Sequence, residues 1–331
     1  MKDPWGRCLR QLTGLFQSLE RETQKVVRVV QALETRRVEE QKKKESRKSN
    51  VATEVKELPA ENLYDELACP KLEIRHVHKL YDAIAPQWDR TRYKGWPRVD
   101  DFIVSVCRSN APSPLIADLG CGNGKYMHHN NGLVIGCDIS SQLVQICRIK
   151  GFDAQVGDAL NAPYRSNSFD GSISIAVLHH LSTKARRLAA LRELIRVLRP
   201  GGRGLVYAWA FEQGEMDGDK GARKFPAQDV FVPFHFRLQS HHPQQMDGVQ
   251  AASFVKDKNS LVFQRYCHVY KRGELQSLLM EAAETMKSEN VENGSIEGNQ
   301  RTSSTSIVRV EETYYDMSNW CVRFLKVNPA S

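Results

Sequence analysis

The sequence predicts an α/β fold: a parallel sheet covered by helices on both faces, extended by a terminal antiparallel hairpin. Three observations point there. From Pro114 onward, short apolar runs of strand length alternate with amphipathic runs of helix length. The first run leads into a glycine-rich turn, Asp118-Leu119-Gly120-Cys121-Gly122-Asn123-Gly124-Lys125, and the second ends in an acid, Asp138. The last two runs are separated only by a turn, which suits antiparallel neighbours.

Residues 9–33 carry apolar side chains at helical spacing and lead into a charged stretch, 34–48, around Lys42-Lys43-Lys44. Residues 1–70 are therefore expected to be a helical, charged and partly disordered extension, loosely attached to a domain over 71–331. Leu115–Asp118 and Leu133–Asp138 read as buried strands. Ser141–Lys150 reads as a helix with Leu143, Val144, Ile146 and Cys147 inward, and Asp153–Val156 as a brief strand. Phe169–Val177 alternates as a strand. Thr183–Arg199 is helical, with Leu188, Leu191, Leu194, Ile195 and Leu198 on one face, until Pro200-Gly201-Gly202 stops it, and Gly204–Ala210 is again a strand. Residues 212–260, rich in Gly, Gln, Asp and His, are expected to be an insertion forming a lid. Gly273–Met286 suits a helix, Glu284–Ser306 a disordered loop, and 307–315 with 319–325 the hairpin.

With 331 residues, 41% hydrophobic and 26% charged, the chain has ample material for a core. No apolar run approaches the roughly 18 residues of a membrane span. The eight cysteines form no Cys-x-x-Cys pair, so a zinc ribbon and a dense disulfide framework are not expected. No metal site is predicted, and a reducing compartment is expected. No cleaved secretory signal is expected either. The net charge of +8 is concentrated at the start: residues 1–50 hold 13 Lys/Arg against 7 Asp/Glu, the remainder 34 against 32. It is weak support for nucleic-acid binding by the folded body. The helix around Lys184, Arg186, Arg187, Arg192, Arg196 and Arg199 offers a basic face for phosphates or, equally, a solvated surface.

A glycine-rich turn after a strand lets the backbone approach a ligand that side chains would exclude. Asp138, 20 positions after Asp118, is placed to accept hydrogen bonds from ribose hydroxyls, and Asp158, another 20 on, to lie near an adenine edge. No Gly-x-x-x-x-Gly-Lys-Ser/Thr sequence is present to hold a triphosphate, and an acid opening the turn opposes phosphate while suiting a sulfonium or ammonium group. The combination of Asp118, Gly120, Gly122, Gly124, Asp138 and Asp158 fits S-adenosylmethionine.

On these and further stretches the chain resembles the seven-stranded, Rossmann-like class I methyltransferases. More closely, it resembles the tRNA wobble-uridine carboxymethyl methyltransferases, the fungal enzyme and the methyltransferase domain of its animal AlkB-related counterpart. The narrower signals are Arg92-Tyr93-Lys94-Gly95-Trp96-Pro97, the His179-His180 pair and Trp209-Ala210-Phe211-Glu212-Gln213, with Gln228–Pro233 and Asn319-Trp320-Cys321-Val322 in support. Phe234 stands where the family usually has Trp. No stretch resembles the animal enzyme's RNA-recognition and dioxygenase modules, so methylation alone is expected of these residues.

The resemblance implies methyl transfer from S-adenosylmethionine to the carboxylate of 5-carboxymethyluridine in tRNA. It implies Ala159 and Ala176 as further cofactor contacts, Tyr93, Trp96, Trp209 and Asp229 on the substrate side, and Arg92 with His179 as the residues orienting the anion, His180 being structural. It also implies a small zinc-binding activator subunit as a second partner beside tRNA, and a cytoplasmic location, with the nucleus as a second. A class I methyltransferase for a quinone or lipid precursor, and a noncatalytic paralogue, are the competing readings.

Overall fold

In a computed structural model of the protein, the described residues are 56–57, 68–92, 94–108, 113–128, 132–213, 223–238, 253–255, 258–292 and 306–327, all within the unit Glu54–Ser331. The expected helix at 9–33, Tyr93 and residues 293–305 lie outside them.

The chain enters through Lys71–Glu73 and a π-helical stretch, Ile74–His78, into α1 (Lys79–Thr91), followed by α2 (Pro97–Cys107). Strands β2 (Leu115–Leu119), β3 (Leu133–Asp138), β4 (Ala154–Val156), β5 (Phe169–Ile175) and β6 (Leu198–Trp209) then alternate with α3 (Ser141–Ile149) and α4 (Lys184–Val197). Helix α5 (Glu274–Glu292) precedes the hairpin of β10 (Val308–Asp316) and β11 (Asn319–Lys326). The seven strands are ordered β10-β11-β6-β5-β2-β3-β4. The five from β6 to β4 are parallel, whereas β11 runs antiparallel to β6 and β10 antiparallel to β11. The predicted fold class is observed.

Period-two alternation explains the two layers. Ile116, Leu205, Tyr207 and Cys321 face α2 and α3 through Phe102, Ile103, Val106 and Val144. Their neighbours Ala117, Val206, Ala208 and Val322 face α4 and α5 through Leu191, Leu194, Leu275 and Leu279. Helix α3 begins where the Ser140 hydroxyl accepts from the Leu143 N–H, and α4 where Thr183 accepts from Arg186.

Three segments differ from expectation. The stretch 212–260 supplies structure: β7 (Asp229–Arg237), β8 (Ser253–Val255) and β9 (Ser260–His268), with β1 (Lys56–Glu57), form a four-stranded antiparallel sheet ordered β1-β7-β9-β8. Alternation within β7 buries Val230, Val232 and Phe234, the last packed with Phe263 on Leu80 and Ile84 of α1. Helix α4 stops at Val197, because Leu198 already pairs with Phe169 in the sheet. Helix α5 continues through 284–292, where the Thr285 and Ser288 hydroxyls donate to carbonyls one turn back. The basic face of α4 is also largely neutralised: Arg186 pairs with Glu73, Lys184 with Glu281, Arg196 with Glu193 and Arg199 with Asp170.

Candidate functional site

The C-terminal ends of β2, β3 and β5 open onto a cavity roofed by α1 and its π-helical lead-in. This is where an open parallel sheet exposes its loops to ligands. Asp118, Gly120, Gly122, Asp138, Asp158, Ala159, Ala176 and Trp96 all line it. Gly124 does not; a Cβ there would lie 2.6 Å from the Phe152 ring, so this glycine serves packing.

The turn is held by Asp138. Its Oδ2 accepts from the Gly122 N–H at 2.8 Å and its Oδ1 from the Ser140 N–H at 2.9 Å. Each oxygen retains a lone pair for a ligand hydroxyl. Burial raises the Asp138 carboxyl pKa, and the two backbone donors oppose that rise. The Ser140 hydroxyl donates to Asp82 of α1 at 2.6 Å, tying the roof to the sheet. Asp158 fixes its own loop by accepting from the Leu160 N–H at 2.9 Å.

Asp118 is 1% exposed, and its Oδ2 is buried with no hydrogen-bond partner. Burial, followed by the Asp138 charge, pushes its pKa up to about 8, against the pull of Lys125. An orphaned carboxyl oxygen beside a turn with open space at Gly122, where a Cβ would meet nothing within 4 Å, is a cradle for a ligand carrying positive charge.

The histidine pair divides oppositely to expectation. His180 lines the cavity, whereas His179 does not. His179 is buried against Trp209, with ring centroids 4.8 Å apart, and its Nδ1 accepts weakly from the Trp209 N–H at 3.5 Å. His180 Nδ1 lies 2.9 Å from the Tyr266 carbonyl, which can only accept, so the proton sits there. Nε2 therefore accepts from the Tyr81 hydroxyl at 2.8 Å. Burial above all lowers the His180 pKa to about 3 and holds that of His179 well below the ordinary value. Both imidazoles are neutral.

Arg92, Trp209 and Asp229 also lie outside the cavity lining. Arg92 ends α1 with its guanidinium 5.4 Å from the Trp88 ring centroid, and its carbonyl accepts from the Asn123 amide of the glycine turn at 3.4 Å. Asp229 is engaged elsewhere, accepting from Tyr266 at 2.5 Å and pairing with His268 at 2.9 Å. Glu274 holds the other nitrogen of His268 at 2.8 Å, and the two carboxylates outweigh burial in raising its pKa. Sequence reasoning missed Tyr81, Trp88, Lys125 and the Glu73–Arg186 pair, all of which line the cavity. Only Lys125, directly after the glycine turn, carried a local signal.

A family model described as a methyltransferase domain matches residues 117–206, the segment from β2 through β6. The tRNA (carboxymethyluridine(34)-5-O)-methyltransferase of Schizosaccharomyces pombe is 37% identical over 212 residues, covering 62% of this chain and 87% of that protein. The protein of the same name from Xenopus tropicalis is 36% identical over 289 residues, covering 78% of this chain. The chain spans 42% of that relative's length, so less than half of it. Among solved structures, the CcbJ methyltransferase of Streptomyces caelestis superposes with a TM-score of 0.50 at 13% identity, covering 76% of this chain and 99% of that one, a likeness of fold.

Proposed function

Since the chain belongs to the tRNA (carboxymethyluridine(34)-5-O)-methyltransferase family, we propose that it transfers a methyl group from S-adenosylmethionine to the carboxylate of 5-carboxymethyluridine at the tRNA wobble position. The observation that carries this reading is the cradle at the end of β2, where a glycine turn, a backbone-anchored Asp138 and the orphaned Asp118 oxygen meet in one cavity.

Bound there, S-adenosylmethionine would supply an electrophilic methyl group on a sulfonium centre. Asp138 would hold the ribose hydroxyls, Asp158 and Ala159 would flank the base, and Asp118 would face the positively charged end. A substrate carboxylate is already ionised at neutral pH, so the protein needs no general base. His180 agrees with that requirement, because both its nitrogens are engaged and neither accepts a further proton. What remains for the chain is to align the anion and exclude water. Arg92, anchored beside the turn, would orient the carboxylate, and Trp96, stacked on Tyr207 with centroids 5.4 Å apart, offers a face for the uracil.

The zinc-binding activator subunit would use the open edge of the large sheet. Edge strand β4 ends in exposed Val156, and the preceding helix ends in exposed Ile149. The seven described cysteines are all free, which suits a reducing cytoplasmic or nuclear setting. No described helix is long and apolar enough to cross a membrane.

Incubating the protein and activator with S-adenosylmethionine and tRNA bearing carboxymethyluridine should yield the methyl ester, read by nucleoside mass spectrometry. An unmethylated wobble uridine would transfer the assignment to a small-molecule acceptor. Asp138→Ala should cost on the order of 1.5–3 kcal/mol of S-adenosylhomocysteine affinity, the worth of hydrogen bonds to a charged acceptor. Calorimetry on the folded variant checks this, and unchanged affinity removes Asp138 from the ribose.

A further inference from the structure

We propose that Arg265, flanked by Arg92 and Arg223, is the receptor for the substrate carboxylate, a role that rests on the proposed function and sharpens it. Arg265 lies on β9 and is 3% exposed. Its Nε is buried without a hydrogen-bond partner, and Nη1 reaches only the Tyr81 hydroxyl, at 3.4 Å. No carboxylate among the described residues forms an ion pair with it. Three rings surround the guanidinium instead, with centroids at 5.4 Å for Trp209, 5.7 Å for Phe234 and 5.8 Å for Trp88.

Two further guanidiniums share those tryptophans. Arg92 lies 5.4 Å from the centroid of Trp88, and Arg223 lies 5.1 Å from that of Trp209. Burial first, and Arg265 second, press the pKa values of both downward, as expected for cations gathered without an anion. A buried, uncompensated cation costs several kcal/mol, which aromatic faces offset only in part. The same chain shows the alternative: Arg186, equally buried, is clasped by both oxygens of Glu73. At Arg265 the missing half of the pair is an anion that arrives from outside.

The position suits the acceptor. Tyr81 and Trp88 line the cofactor cavity on one side and contact Arg265 on the other. Tyr81 gives its proton to His180, so its oxygen lone pairs remain for Arg265 and keep the guanidinium aimed. A uracil held on the Trp96 face within the same cavity would extend its substituent toward Arg265. A carboxylate and a tRNA phosphate share this chemistry, and only the carboxylate is absent from a neutral analogue of the modified base.

The test compares two tRNAs that differ at one group, 5-carboxymethyluridine and 5-carbamoylmethyluridine at position 34, in competition binding and, for the first, in single-turnover methylation. Wild type should prefer the carboxylate. In Arg265→Gln that preference should vanish and kcat/KM should fall on the order of a hundredfold, while S-adenosylhomocysteine affinity and the thermal midpoint hold. Arg265→Lys should restore only part, since an ammonium lacks the planar fork. Equal weakening of both tRNAs would assign Arg265 to a phosphate and overturn the proposal. A retained preference would overturn it too. Should the Gln variant misfold, the Lys variant decides by the same preference. Wild type that leaves carboxymethyluridine unmethylated defeats the functional reading itself, a result visible before any variant is compared.

Discussion

Glu73→Ala should lower the thermal midpoint by roughly 6–20 °C, from a loss of about 3–5 kcal/mol in a domain of this size. Glu73 is 1% exposed, although it sits only three residues beyond Pro70, where the helical lead-in begins. Its Oε1 accepts from the Ser182 N–H at 2.6 Å and the Ser182 hydroxyl at 2.7 Å, and both oxygens accept from the Arg186 guanidinium at 3.0–3.2 Å. Truncation strips a carboxylate from a buried cation and leaves the Ser182 donors without it. Glu73→Leu with Arg186→Met, which replaces the pair by apolar volume, should recover most of the loss. Calorimetric melting of the three proteins checks both statements. A single variant melting with wild type would show that the π-helical roof is not anchored there. Because both residues also line the cavity, S-adenosylhomocysteine affinity should fall along with stability.

Gly120→Ala should destabilise the domain by roughly 2–5 kcal/mol and abolish tight binding of S-adenosylhomocysteine. Its φ of +90° lies in the region that favours glycine, and a Cβ would fall 2.3 Å from Val177 Cγ2. Val177 is β-branched and cannot swing clear cheaply, so the turn itself must move. Gly122→Ala is the informative contrast. At φ +56° and with open space around it, an added methyl costs only the left-handed strain of about 1–2 kcal/mol. It projects where the ligand belongs, so affinity should drop more than stability. Melting curves beside calorimetric titrations separate the two. Near-wild-type affinity in Gly120→Ala would mean that the turn does not cradle the donor.

The cofactor half of the molecule was legible because its signals are local. Strand, glycine turn, strand and acid lie within 25 residues, and Asp118, Gly120, Gly122, Asp138 and Asp158 line the cavity, as do Ala159 and Ala176, which the resemblance alone implied. The acceptor half was not, because its groups meet only through tertiary pairing. Arg265 has no motif around it and reaches Trp88 through β9 packed on α1. The alternation of β7 was obscured because Phe231 and Pro233, between its buried residues, are apolar as well, and its partner β9 begins more than 20 residues later. Charge counting along α4 suggested a phosphate-binding face, yet the compensating Glu73, Asp170 and Glu281 come from distant segments. The adjacent histidines were assigned as His179 for the site and His180 for structure, yet the short helical turn Leu178–His180, rather than strand alternation, decides which ring faces the cavity, and it is that of His180.

Burial, with the Asp138 charge, pushes the Asp118 carboxyl pKa up to about 8, which favours its neutral form at pH 7, and its orphaned oxygen faces no cation of the chain within hydrogen-bond reach. A positive ligand charge arriving beside it would favour the ionised form, so uptake of a cationic donor would be linked to release of a proton. Affinity for such a donor should therefore rise with pH through the Asp118 pKa, although methylation of a carboxylate itself requires no acid or base.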